Sequence, residues 1–207
     1  CSHAQTRVLS VFLNGLVAAE GQSHIVAAET ERVVDGVLIV AIPWLARDDV
    51  DYVSVKASSV ASQLVPWDLE GSRDRLVERL TPLFELARDT GSFVNLDMEE
   101  YKDLHLTIKL FTELLDEEEF RDMEAGIVLQ AYLPDTFDAL RELAEFAAQR
   151  RAKGGAKIKV RLVKGANLSM ERVDSEIHDW PQAPFLTKAE VDANYVRLLD
   201  WILQPEH

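Results

Sequence analysis

The stretch "GIVLQAYLPDT" (residues 126–136) runs apolar through Val128 and Leu129, sets Gln130 and Tyr132 at its end, and then meets Pro134 and Asp135, which open a helical pattern. A short Val- and Ile-rich run followed at once by amphipathic sequence reads as a buried parallel strand feeding a crossover helix. The same alternation recurs along the chain. "YVSVK" (52–56), "FVNLDM" (93–98), "IVLQAY" (127–132) and "IKVRLVKG" (158–165) are the strand-like runs. Between the first two, "GSRDRLVERLTPLFELARDTG" puts Leu76, Leu80, Leu83, Phe84 and Ala87 at helical spacing and offers Gly91 as a C-terminal cap. "DTFDALRELAEFAAQRRAKGG" repeats the device, with Asp135 as candidate N-cap and Phe137, Leu140, Leu143 and Ala147 on one face. Its Arg150, Arg151 and Lys153 fall in the last turns, where the helix macrodipole favours cations, and Gly154 and Gly155 stop it. A final helix is expected from Lys188 to Leu203, with Val191, Tyr195, Leu198, Leu199 and Ile202 on its apolar side. The pattern predicts an α/β fold of four consecutive βα units over residues 50–207.

Residues 1–49 are expected to form a mostly helical segment: "QTRVLSVFLNGLVAAE" and "AAETERVVDGVLIVAIPWLA" read as one or two helices followed by a buried strand. No internal repeat or Pro/Ser-rich linker divides the chain, and 207 residues with 47% hydrophobic content suit one core. The formal charge of -14 repels phosphate backbones and anionic surfaces, so nucleic acid is not an expected partner of this segment. The single cysteine, Cys1, can build neither a disulfide framework nor a thiolate metal site, and a cytoplasmic location is expected. The longest apolar run, "GVLIVAIPWLA" (36–46), is broken by Pro43 and falls short of the roughly 18 residues of a membrane span. No histidine pair has metal-ligand spacing: His105 lies within a helical pattern and the others are scattered. "DEEEF" (116–120) reads as a solvated helix end and "HDWPQAPF" (178–185) as a Pro-braced surface loop.

In parallel βα architectures, functional groups collect at the C-terminal ends of the strands. Here those ends carry Lys56, Asp97 with Met98, Gln130 with Tyr132, and Arg161 with Lys164. Any one of these has a structural reading: Asp97 could cap the helix that follows it, and Lys56 could reach solvent along its aliphatic stem. Four together at corresponding positions point to a site, because a buried sheet otherwise excludes charge. "RLVKGAN" (161–167) is open between a plain strand-to-loop turn and an anion-binding turn, in which Gly165 and Ala166 let backbone N–H groups approach and Lys164 neutralises charge.

Taken in order, "YVSVKAS", "FVNLDMEEYKD", "IVLQAY", "VRLVKGAN" and "APFLTKAEVDANY" resemble consecutive signatures of the flavin-dependent proline dehydrogenase family, in particular the proline dehydrogenase domain of bacterial bifunctional proline utilisation proteins. The resemblance spans roughly residues 50–200. It implies a distorted (β/α)8 TIM-like barrel, here incomplete from about strand 2 to strand 5 with their helices, so that the chain looks like a fragment. It further implies FAD as cofactor, L-proline as substrate oxidised to Δ1-pyrroline-5-carboxylate by hydride transfer from C5 to flavin N5, and a quinone as electron acceptor reached by peripheral membrane contact. Carried over by position, Gln130 would bond the isoalloxazine edge. Arg161 would stand near its N5 and C4 carbonyl, favouring the charge that builds there. Val163, Lys164, Gly165 and Ala166 would follow the rest of the cofactor, Met98 would pack against it, Thr187 and Lys188 would fall to the adenosine side, and Lys56 would approach the substrate carboxylate. Asp97 would join Arg161 as a catalytic residue in the charged network of the site.

The departures are equally specific. The family's C-terminal helix with paired arginines and its Thr-His type turn have no counterpart, no first barrel strand is recognised in residues 1–50, and Asn167 and Leu168 stand where many relatives carry an aromatic pair. Half a barrel exposes strand edges, so a homo-oligomer is expected and the isolated chain is expected to be inactive or weakly active. A noncatalytic βα module that self-associates is the alternative, and a third reading keeps the barrel with another phosphate-bearing cofactor.

Overall fold

The computed structural model describes residues 8–10, 16–17, 25–26, 45, 47, 49–61, 64–65 and 67–204. Three short strands come first: β1 (Val8–Ser10), β2 (Leu16–Val17) and β3 (Ile25–Val26). The βα units follow: β4 (Tyr52–Lys56), α1 (Ala57–Val60), α2 (Leu69–Thr90), β5 (Phe93–Asp97), α3 (Leu104–Asp116), β6 (Ala125–Gln130), α4 (Thr136–Ala152), β7 (Ile158–Val163), α5 (Leu168–His178) and α6 (Lys188–Ile202). The main sheet has the order β1-β4-β5-β6-β7 with every neighbouring pair parallel, while β2 and β3 form a separate antiparallel pair. This is the strand sequence of a barrel wall that has not closed.

The first strand corrects an expectation. Val8–Ser10 lies in parallel register with Tyr52–Ser54, so a strand precedes the four legible in the sequence. Besides these strands, the described part of residues 1–49 includes a helical position at Leu45; most of the segment expected to be helical, and most of "GVLIVAIPWLA", lies outside the described residues.

Alternation along the strands sorts side chains onto two faces. Val53 and Val55, Val94 and Leu96, and Ala125, Ile127 and Leu129 are fully buried against the helices, where Leu76, Leu80, Leu83, Phe84, Ile108, Phe111 and Leu140 meet them. The other face carries Tyr52, Ser54 and Lys56; Phe93, Asn95 and Asp97; Gly126, Val128 and Gln130; and Lys159 and Arg161. At its lower end Tyr52 stacks on Phe93, centroids 5.3 Å apart, and the Lys159 ammonium sits over both rings.

Helix ends follow their chemistry. The Asp68 carboxylate accepts from the Gly71 N–H at the start of α2, and Gly91 ends that helix at φ +70°, a left-handed turn that favours glycine. Thr187 and Glu190 form a reciprocal capping box at the start of α6. Asp135 does not cap α4; its carboxylate accepts instead from the Tyr101 phenol at 2.7 Å. Helix α5 is an addition to the sequence reading, because its apolar residues Met170, Val173 and Ile177 stay exposed and no amphipathic burial marks it.

Arg150 differs most from expectation. It falls in the last turn of α4, where the macrodipole favours a cation, yet it is only 3% exposed. Its Nε donates to Ala156 O at 3.0 Å, one terminal nitrogen to Leu115 O, and the other to the carbonyls of Phe120, Arg121 and Met123 at 2.7, 2.8 and 3.0 Å. The planar fork thus satisfies the C-terminal carbonyl end of α3 and ties the turns before β6 and β7 together. Burial lowers the Arg150 pKa, and the surrounding carbonyl dipoles keep the charge tolerable. Arg150→Met leaves those carbonyls unpaired and is expected to destabilise the chain by about 3 kcal/mol. Urea unfolding checks this, with Arg150→Lys falling between the two because an ammonium cannot reach in a fork.

Candidate functional site

The upper ends of β4 to β7 converge on one edge. In register, Lys56 lies beside Asp97, Val128 beside Arg161 and Gln130 beside Val163. Asp97 is the hub, with its side chain 7% exposed. Its carboxylate accepts from Ser54 Oγ at 2.7 Å and from Asn95 Nδ2 at 3.3 Å, and it pairs with the Arg161 guanidinium. Asn95 Nδ2 also donates to Ser54 Oγ at 2.9 Å, which closes a triangle of polar groups between two buried strands. The helix-cap reading of Asp97 is thereby replaced by a bridge across the sheet. Arg161 keeps 44% of its side chain exposed, so one edge of the guanidinium is held while the other remains accessible.

Lys56 does not reach out to solvent. It is 8% exposed, and its ammonium donates to Glu99 Oε1 at 2.5 Å. Gln130 is fully buried. Its Nε2 donates to the carbonyls of Met98 and Glu99, both at 3.3 Å, whereas its Oε1 has no hydrogen-bond partner among the described residues. Thr136 Oγ1 secures the Gln130 backbone carbonyl at 2.5 Å. An unpaired buried acceptor costs about 1–3 kcal/mol, so the orientation of this amide asks for a donor. Met98 is buried beneath the same turn.

Beyond the strands, pairing of β6 with β7 continues: Ala131 N donates to Val163 O and Tyr132 N to Lys164 O, each at 2.7 Å. Gly165 then turns at φ +142°, and a Cβ built there would lie 2.4 Å from Tyr132 Cγ. Only glycine lets the Tyr132 ring rest on this backbone. Tyr132, Lys164, Gly165, Thr187 and Lys188 line one cavity of about 320 Å³. Lys164 and Lys188 both pair with Asp192, whose pKa they lower, so two cations share one carboxylate at this cavity.

A second cleft, about 510 Å³, opens between the turn after β5 and α5, lined by Glu100, Tyr101, His105, Met170, Glu171 and Trp180. Asp103 belongs to this turn; it is 5% exposed, its backbone N–H donates to Glu100 O at 3.1 Å, and its carboxyl does not cap α3. Burial first, and then the charge of Glu100, push its pKa up to about 6. Ser54, Asn95, Glu99 and Glu171 are the participants that sequence reading missed. Ser54 and Asn95 had a legible signal, since each is a lone polar residue two positions before a strand-end charge.

Parallel βα units with ionisable and amide groups gathered at the carboxyl ends of their strands define part of the ring of a TIM-like barrel protein. The chain belongs to the proline dehydrogenase family: the family model described as proline dehydrogenase matches residues 6–207. A proline dehydrogenase from Deinococcus radiodurans is 30% identical over 148 residues, which is 72% of this chain and 39% of that protein. Proline utilization A (PutA) from Corynebacterium freiburgense superposes with a TM-score of 0.87 at 54% identity, covering 99% of this chain and 20% of that one. PutA from Bdellovibrio bacteriovorus, inactivated by N-propargylglycine, gives 0.78 at 33% identity over 96% of this chain and 21% of its own. The chain thus spans about a fifth of these solved proteins. No helix among the described residues is long and apolar enough to cross a membrane.

Asp103 supplies a pH test. Its folded pKa of about 6 stands above the ordinary aspartate value of 3.8, so the fold favours the protonated form. The stability this contributes is complete below the unfolded value and is lost as pH rises through the folded one. Asp103→Asn removes the charge and is expected to raise stability at neutral pH by about 2 kcal/mol, with little effect below pH ~4. Urea midpoints of both chains across pH 4–8 check it.

Proposed function

We propose that this chain carries the flavin-facing part of an FAD-dependent proline dehydrogenase, which oxidises L-proline to Δ1-pyrroline-5-carboxylate and passes the electrons to a quinone at a peripheral membrane contact. The partial-barrel unit assigned to residues 50–207 supplies these groups, and the isolated chain is inactive or weakly active. The observation that carries the reading is the buried Gln130 side chain at a strand end, whose oxygen has no partner among the described residues.

The residues present fit the cofactor. Gln130 Oε1 is an acceptor suited to the imide N–H of an isoalloxazine ring. Met98 offers a polarizable apolar surface beside it. Val163, Lys164, Gly165 and Ala166 would follow the chain of the cofactor, and the excess cation among Lys164, Lys188 and Asp192 suits a pyrophosphate. Thr187 contributes its hydroxyl to the same cavity, although that hydroxyl is already engaged with Glu190. When bound, FAD would supply the two-electron acceptor for the hydride leaving C5 of proline.

The side chains of this chain supply orientation and charge. Asp97 holds the Arg161 guanidinium in place, and the exposed edge of that guanidinium stabilises negative charge developing at the ring. Lys56, fixed at the end of β4, provides a cation for the proline carboxylate, which would share the ammonium with Glu99. The strand-end geometry sets the distance between these groups before substrate arrives. Exposed Leu186 before α6, Val196 and Leu199 on it and Leu203 at its end suit burial by further barrel units or a second copy.

A titration of the chain with FAD, followed by anaerobic L-proline, tests the reading. Saturable binding with bleaching of the visible flavin band is expected in the complete protein, and weaker binding in the isolated chain. Absence of flavin binding in both would overturn it, and self-association without flavin binding would favour the noncatalytic module. In the complete protein, Arg161→Met and Asp97→Ala are each expected to lower kcat/KM for proline by about 100-fold. Thermal unfolding measured alongside must show a proportionately smaller change; equal losses of stability and activity would sink these assignments.

A further inference from the structure

Glu171 has no part in the proposed chemistry, yet it is the only residue of α5 that ties this helix to the rest of the fold by side-chain hydrogen bonds among the described residues. Its Oε1 accepts from the Tyr101 backbone N–H at 2.7 Å and from the Tyr132 phenol at 3.4 Å. Otherwise α5 is weakly anchored. Ser175 is its one buried residue, Asn167 gives it no side-chain cap, and Met170, Val173 and Ile177 are exposed.

What Glu171 joins is specific. Tyr101 belongs to the turn after β5, four residues beyond Asp97, and its own phenol donates to Asp135 in the turn after β6. Tyr132 also follows β6, and its ring occupies the space that a side chain on residue 165 would need. The turn Lys164–Ala166 is held from the strand side by the Tyr132 N–H to Lys164 carbonyl bond and enters α5 on its other side. One carboxylate therefore latches the turns after β5, β6 and β7, and these turns flank Met98, Gln130 and Lys164–Ala166.

We infer that Glu171 is a positioning residue that fixes the Lys164–Ala166 turn and the Tyr132 ring relative to Gln130 and Met98, so that the cofactor-facing surface is set before the cofactor binds. This rests on the functional reading above. The charges around the carboxylate agree with such a role. Burial raises the Glu171 pKa and Glu100 and Asp174 add to the shift, while the hydrogen bonds from Tyr101 and Tyr132 oppose it. Burial and the Glu171 charge push the Tyr132 phenol upward, and the bond to Asp135 does the same for Tyr101, so both hydroxyls remain donors. A merely structural latch would add stability and leave the cofactor surface unchanged; a positioning residue changes both.

The test uses the complete protein as wild type, Glu171→Ala, Glu171→Gln and Tyr132→Phe. Two quantities are measured: amide hydrogen exchange at Tyr101 without flavin, and FAD affinity together with the visible circular dichroism of the bound flavin. In Glu171→Ala, exchange at Tyr101 is expected to rise and FAD affinity to fall, each about 10-fold, with an altered flavin dichroism. Glu171→Gln, whose amide oxygen can still accept from Tyr101, is expected to stay within about 3-fold of wild type. Faster exchange with unchanged FAD affinity and dichroism would overturn the inference. Should Glu171→Ala fail to fold, Tyr132→Phe decides, since it removes only the hydroxyl: a changed dichroism supports the role and an unchanged one overturns it. Failure of the wild type to bind FAD would instead overturn the functional reading and this role with it, a result separable from a defect confined to the variants.

Discussion

The carboxylate of Asp97 is the interaction on which the upper edge of the sheet depends. It is nearly buried, and it accepts there from donors on three strands: Ser54 on β4, Asn95 on β5 and Arg161 on β7. A lone buried carboxylate would be costly, but one that accepts from a hydroxyl, an amide and a guanidinium recovers much of the lost hydration. The consequence is geometric. Arg161 on β7 reaches a carboxylate on β5 across the intervening β6. The parallel register places Lys56 and Gln130 at the same end of the sheet.

The same alternation serves stability and chemistry at once. Even-numbered positions of β4 hold Ser54 and Lys56 while the odd ones hold Val53 and Val55; β5 inverts the parity, with Asn95 and Asp97 against Val94 and Leu96. Register then aligns the polar sets, since Ser54 meets Asn95 and Lys56 meets Asp97. Each strand can thus contribute to a fully apolar helix-facing layer and a charged inner layer without a local conflict between them. A one-residue slip of β5 would put Asp97 among Leu80 and Leu83 and Val94 into the polar face, so the register is strongly specified.

Much of this was legible before the structure. The strands, α2 with its Gly91 cap, α4, α6 and the strand-end residues all announce themselves, because hydrophobic period and turn chemistry are local properties. What stayed hidden depends on neighbours distant in sequence. Val8–Ser10 is too short to show a period and becomes a strand only by pairing with β4. Arg150 has the composition of a solvated helix end, and only the carbonyls converging from residues 115 to 156 make it internal. Helix α5 exposes its apolar residues, so burial periodicity had nothing to report. Ser54, Glu99 and Glu171 act through partners 43, 43 and 70 positions away, separations at which no local rule operates.

Three buried side-chain atoms lack a hydrogen-bond partner among the described residues, and their surroundings separate them. Arg73 Nε lies 2.8 Å from an Asp74 carboxylate oxygen, so its charge is answered even though the hydrogen-bond geometry is not met. Asn95 Oδ1 sits mid-strand against Gly126, where even a Cβ would come within 2.7 Å, and no ligand atom could enter. Gln130 Oε1 differs from both. It stands at the C-terminal end of β6, where the sheet opens, beside Met98 and within the ring of charged groups organised by Asp97. Its own NH2 is already committed to two backbone carbonyls, so rotating the amide would leave both without their donor. The fold therefore holds an acceptor in a fixed direction at the C-terminal end of β6, covered by protein and next to the turn after β5, and this is why the proposed site lies at the strand ends rather than in the larger cleft beside α5.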